Sequence, residues 1–220
     1  MQELKEVAFF GKVTAGVTHE IRNVLAIIKE SCGLMEDILC LVRNERPEPR
    51  ERLESALSRI QAQVDRGVAI ATHLNKFAHS TDQSVAEVDL VEMIEQVVFL
   101  AQRFARLNEV KLEAKPQKSP LTIFTAPVRL QMAVFLSVEL LFNLLPSGGE
   151  IALSASKVDQ MYEVGVQWKA QSLGVQDPQE VIMSSENWGE LQNAMNSLRG
   201  KAGVEKSSNK ILLYFPKSIS

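Results

Sequence analysis

Residues Thr18–Ser31 read THEIRNVLAIIKES, and the spacing of their apolar positions decides what kind of chain this is. Ile21, Val24, Ile28 and Ser31 continue a series that begins at Val7, Phe10, Thr14 and Val17 and runs on through Met35, Ile38 and Val42. Apolar or small residues alternate at intervals of three and four for about five heptads, the signature of a helix built to lie along another helix. His19 falls opposite that seam. Its imidazole is expected to project outward from a helical bundle, between Thr18 and Glu20, where no core requires it.

The seam stops at RNERPEPRE, residues 43–51, where Pro47 and Pro49 cannot continue a helix and Pro49 suits the first turn of the next. A second seam runs through Leu53, Leu57, Ile60, Val64, Gly67, Ala71, Leu74 and Ala78. Two long helices joined by a short proline-containing loop predict an antiparallel hairpin. Phe9, Val13, Leu25, Leu34, Leu39 and Leu41 lie off the first seam and give helix one a second apolar side. A two-helix hairpin cannot cover two stripes, so the expected assembly is a homodimer forming a four-helix bundle.

Composition limits what such a chain does. The sequence has 220 residues, 24 basic against 27 acidic, and a net charge of -3, a balance that argues against a dedicated nucleic-acid binder. Cys32 and Cys40 are too few and too close for a disulfide framework; they read as small core residues in a reducing compartment. The most apolar run, LQMAVFLSVELLFNLL (130–145), contains Glu139 and Asn143 and is shorter than the roughly 20 residues that span a bilayer. With no signal peptide at the start, the chain reads as soluble and cytoplasmic, without a membrane partner.

After the polar stretch HSTDQSVAE (79–87) the pattern changes, and the sequence divides into a hairpin, 1–79, and a second domain, 88–220. A helix is expected from about Asp89 to Arg106. Strand-like runs VKLEA and LTIFT follow, then a helix from Pro127 to Leu145. The turn PSGG leads into EIALSAS, with YEVGVQW as its hairpin partner; a helix near 187–199 and a last strand, KILLYFP, close the chain. This order predicts an α+β domain in which helices cover one face of a single mixed sheet.

The run ELKEVAFFGKVTAGVTHEIRNVLAII resembles the dimerisation and phosphoacceptor hairpin of two-component sensor histidine kinases, whose phosphorylated histidine opens an H-E-hydrophobic-R-N motif. VDLVEMIEQVVFLAQ, PVRLQMAV, LPSGGEIALSAS and ILLYFP fall where that family's ATP-binding domain has its first helix, second helix, turn into a strand, and last strand. The resemblance takes in nearly the whole chain and implies that fold: a long helical hairpin followed by an α/β sandwich.

The nucleotide motifs depart from the family. Asparagines on the helix before the GGE turn hold magnesium-ATP there; here Leu136 and Leu140 occupy the matching positions, and leucine offers no oxygen to a hard cation. In KAQSLGV, Ala170 stands where the family places the adenine-binding aspartate and Ser172 where it places the first glycine, leaving Gly174. In place of the glycine-rich loop that cradles phosphates is SSENWGELQNAM, with one glycine beside Trp188. The resemblance therefore implies a domain that keeps the fold without ATP, and no cofactor bound by this chain.

On these grounds His19, Glu20 and Asn23 are the candidate catalytic residues. Neutral imidazole is a competent nucleophile toward phosphorus, Glu20 could fix its tautomer, and Asn23 lies one turn along the same side. Lys12, Ala15, Gly16, Arg22 and Ala26 are the candidate docking residues around it, small ones letting a partner approach and basic ones steering it. The expected function is histidine phosphotransfer between response-regulator receiver domains, whose own pocket would supply magnesium. Alternatives are a receiver phosphatase in which Glu20 and Asn23 orient water, a non-catalytic scaffold and, if the motif alignment is misplaced, an active ATP-dependent kinase.

Overall fold

The computed structural model describes residues 2–42, 50–117, 119–170 and 178–219. Two long helices, α1 (Gln2–Val42) and α2 (Arg50–His79), come first; the expected proline turn lies outside the described residues. Packing divides the chain into two compact units, Thr14–Lys76 and a second made of Met1–Val13 with Phe77–Ser220.

In the helical unit, Val17, Val24, Ser31 and Ile38 of α1 are buried at heptad spacing, as the first seam requires. Gly67 brings α2 close: a Cβ there would meet Val24 Cγ1 at 3.5 Å. The second seam holds at Leu53, Ile60, Gly67 and Leu74, none of which is exposed, and shifts by one residue at the positions between them. Leu57, Val64 and Ala71 are exposed, whereas Ala56, Gln63 and Ile70 turn inward. Small residues admit close helix approach, so Gly67, as expected, and Ala56, which was not expected, serve the inner contact while the larger Leu57 and Val64 are left outside; hydropathy alone ranks Leu57 above Ala56. Cys32 and Cys40, expected as core residues, are both exposed.

In the α/β unit, β1 (Ala86–Asp89) leads into α3 (Leu90–Leu107), followed by β2 (Lys111–Ala114), β3 (Thr122–Thr125) and α4 (Pro127–Phe142). The hairpin β4 (Glu150–Val158) and β5 (Met161–Lys169) comes next, then α5 (Pro178–Ser184), α6 (Glu186–Ser197), β6 (Lys201–Glu205) and β7 (Lys210–Phe215). Local chemistry fixes several joints. Asp89 Oδ1 accepts from Val91 N and Leu121 N, both at 3.0 Å, capping α3 and tying it to the chain entering β3. Pro127 opens α4, where its missing N–H costs nothing. Gly148 adopts φ 81°, a left-handed conformation that a Cβ would strain, and so lets PSGG turn into β4.

The single sheet expected is in fact two. Five strands in the order β2-β4-β5-β7-β6 form a mixed sheet, parallel only between β2 and β4. β1 and β3 pair separately, and Phe124 exchanges backbone hydrogen bonds with Lys217 and Ile219, so the end of the chain lies along β3. Ile151, Leu153, Val164, Val166, Trp168, Ile211, Leu213 and Phe215 are buried at alternate positions, the period-two pattern of a sheet with one face in the core. Leu130, Ala133, Val134 and Leu141 of α4 and Leu191 and Met195 of α6 complete that core. The fold is α+β, as expected. β1, β6 and α5 escaped the sequence reading: AEVD and KAGVE are short, charged or glycine-containing, and the seven residues of α5 carry too little periodicity.

The first turns of α1 belong to this core. Phe9 meets Phe77 at 5.6 Å and Phe135 at 5.4 Å between ring centroids, and Phe135 meets Phe104 at 5.4 Å. Lys5 pairs with Glu190 at 2.9 Å, Arg129 with Glu6 at 2.8 Å, and Lys12 with Glu139. The sequence boundary at residue 79 does not coincide with this division. Among the described residues no helix is long and apolar enough to cross a membrane.

Candidate functional site

His19 lies on the continuous α-helix α1, in the helical unit, with an exposed side chain that makes no hydrogen bond or ion pair among the described residues. An α-helix turns about 100° per residue, so Ala15, Arg22, Asn23 and Ala26 share its face. All four are exposed. Gly16, expected on that face, is buried, unlike those four. Lys12 belongs to the α/β unit. There its ammonium pairs with Glu139 and stands 5.7 and 5.9 Å from the Phe135 and Phe104 ring centroids, so it is engaged in packing rather than held out as a docking cation.

Glu20 is the inward neighbour of His19. Its side chain is 12% exposed, and Arg66 Nη2 of α2 donates to its Oε2 at 2.5 Å. The sequence had suggested that this carboxylate orients the imidazole; the structure sets it against a guanidinium. Thr18 is occupied locally, its hydroxyl donating to the Thr14 carbonyl at 2.8 Å. Arg66 was not found from sequence. Its signal would have been the register of α2 on α1, which the shift in the second seam concealed.

The counterpart of the kinase nucleotide site lies in the α/β unit. Leu136 and Leu140 are 9% and 4% exposed, so the two turns of α4 that would face a magnesium ion present buried hydrocarbon. Beside Leu140, Asn143, Leu144, Val181, Ile182, Ser185, Glu186 and Asn187 line a cleft of about 220 Å³, smaller than the roughly 300–1,000 Å³ of small-molecule sites. Trp168 and Trp188 are buried at 2% and 7%, filling core volume as expected. Ala170 follows β5; Ser172 and Gly174 lie outside the described residues. Leucine at both α4 positions offers no oxygen ligand to the magnesium ion of a nucleotide. Among the described residues no cluster of histidine, cysteine and carboxylate side chains is arranged to hold a metal.

No protein-family model matches the chain, and none of the curated proteins does. Solved structures do. The nucleotide-free catalytic domain of the histidine kinase ThkA aligns with 62% of this chain and 99% of its own length, at 16% identity and a TM-score of 0.52. The ATP-binding domain of PrrB from Mycobacterium tuberculosis aligns with 63% of this chain and 100% of its own, at 15% identity and a TM-score of 0.50. At such identities the likeness establishes fold: the chain carries the architecture of sensor histidine kinase ATP-binding domains, the architecture that the sequence resemblance implied.

Proposed function

We propose that this chain is a histidine phosphotransfer protein, in which His19 takes a phosphoryl group from the aspartyl phosphate of one response-regulator receiver domain and passes it to another. The supporting observation is the exposed imidazole of His19, which has no hydrogen bond or ion pair among the described residues, on a helical face of small and polar residues, in a chain with Leu136 and Leu140 at the positions matched to the family's α4 asparagines. A ring nitrogen attacks phosphorus, the bond from phosphorus to the aspartate oxygen breaks, and the carboxylate leaves. The proton on the other ring nitrogen goes to water. Return transfer reverses these steps, and ATP takes no part. Ala15 and Ala26 leave room for the incoming surface; Arg22 supplies a cation to an acidic partner, and Asn23 can hydrogen-bond the phosphoryl oxygens.

The active form in this reading is a homodimer. Ile21, Leu25, Ile28, Cys32, Met35 and Leu39 make a second heptad stripe on α1, and Leu25 and Leu39 are more than half exposed in the single chain. Leu57, Val64 and Val68 make an exposed apolar stripe on α2. A second copy of the hairpin covers both in a four-helix bundle.

The test is incubation with phosphorylated receiver domains. The native chain should acquire an acid-labile, base-stable label, and H19Q, which keeps a polar side chain at an exposed helical position, should acquire none while unfolding at the same temperature. If H19Q dephosphorylates a receiver as fast as the native chain, Asn23 and water, rather than His19, carry the chemistry.

A further inference from the structure

Arg66 belongs to no motif of the sequence, yet it pairs with the acid next to His19. The guanidinium is 40% exposed and reaches the Glu20 carboxylate at 2.5 Å, while the carboxylate is 12% exposed and so only partly screened by water. A charge-assisted hydrogen bond of this length holds the two groups as a neutral pair.

That neutrality bears on what His19 can carry. A phosphoryl group brings close to two negative charges at neutral pH, and the residue next to His19 is itself an acid. We infer that Arg66 is a positioning residue for phosphoryl residence on His19: by pairing with Glu20 it removes the like charge that would otherwise oppose a phosphoryl group on the neighbouring imidazole. This rests on the phosphotransfer reading and deepens it. Glu20 then does not act on the ring; its carboxylate is a local liability that α2 neutralises, and the α1–α2 register sets how readily His19 holds phosphate.

The experiment is a double-mutant cycle on the full chain, using phosphoramidate as a donor that needs no receiver. A ring nitrogen of His19 attacks phosphorus, the phosphorus–nitrogen bond breaks, and ammonia leaves with a proton. Native chain, R66Q, E20Q and the R66Q/E20Q double variant are compared for phosphohistidine at equilibrium by phosphorus NMR, with H19Q defining the background and circular dichroism confirming the fold of each. R66Q should lower the yield about fivefold when Glu20 is present, the size expected of a partly screened pair acting on a doubly charged group. In the E20Q background the same substitution should change it by less than about 1.5-fold.

A fivefold loss that persists in the E20Q background means that Arg66 serves the fold or touches the phosphoryl group itself, and overturns the inference. So does an R66Q yield equal to that of the native chain. The two readings fail separately. Label from phosphoramidate with the expected cycle, but none from any receiver, refutes the relay and leaves the role of Arg66 standing; label from receivers without the cycle does the reverse. No label on the native chain from either donor refutes both.

Discussion

Replacing Phe9 with alanine should destabilise the α/β unit, although the rest of that unit begins only at Phe77. Phe9 is 7% exposed, packs edge-on against Phe77 at 85° and against Phe135 at 60°, and lies 6.1 Å from Phe10. Removing a buried phenyl ring costs about 3–5 kcal/mol in transfer energy and cavity. Two of the lost partners are aromatic edges, each contributing about 0.5–1.5 kcal/mol beyond its area, which keeps Phe9 off the lower end of that range, at about 4 kcal/mol.

The chain has two tryptophans, Trp168 and Trp188, and both lie in the α/β unit, so indole emission reports that unit's unfolding without contribution from the hairpin. With a urea dependence of about 2 kcal/mol per molar, the F9A transition should move about 2 M lower than that of the native chain. F9L, which keeps most of the apolar volume, should lose less than about 1.5 kcal/mol. An unmoved tryptophan transition in F9A would refute the packing of the first turns of α1 into the α/β core.

Three further outcomes follow from particular contacts. G67A should stabilise the helical unit by about 0.5–1 kcal/mol, because a mid-helix glycine gains helix propensity and the added Cβ meets Val24 Cγ1 at an ordinary 3.5 Å; far-ultraviolet thermal melting reads it, and a lowered midpoint would mean the helices already touch too closely. L25E, which puts a carboxylate on the proposed intermolecular stripe, should convert a dimer to monomer in light scattering, and a native chain that is monomeric at micromolar concentration would refute the bundle. Burial, then the Glu163 carboxylate opposite it on β5, push the Tyr214 phenol above its ordinary value. The folded state therefore holds that proton more tightly than the unfolded one: the contribution is complete below about pH 10 and is lost as pH rises through the folded value. Stability of Y214F should fall less than that of the native chain between about pH 10 and 12, and parallel losses would remove Tyr214 from the alkaline transition.

The long helices are legible in the sequence because period and length speak together there: a three-four alternation kept up from Val17 to Ile38 leaves no other structure able to bury Val17, Val24, Ser31 and Ile38 on one side. The sequence determined the alternating core strands β4, β5 and β7 for the same reason at period two. It also put His19 on an outer face, since one register fixes both the buried and the exposed side of a helix. Tertiary packing chose the α2 positions that alternate with Leu53, Ile60, Gly67 and Leu74. That choice depends on how closely two helices approach: Gly67 already lies on the seam legible in the sequence, but Ala56 turns inward in place of the more apolar Leu57, and Gln63 in place of Val64. β1 and β6 form because β3 and β7 present unpaired backbone groups to them, a property of partners far along the chain that the segments AEVD and KAGVE do not encode. The same holds for Phe9, whose aromatic neighbours come from Phe77 and Phe135, and for Glu20, whose carboxylate turns to Arg66 of α2. A local pattern specifies which side of an element is inside; what waits there is set by elements distant in sequence, and for Glu20 that partner decides the charge next to His19.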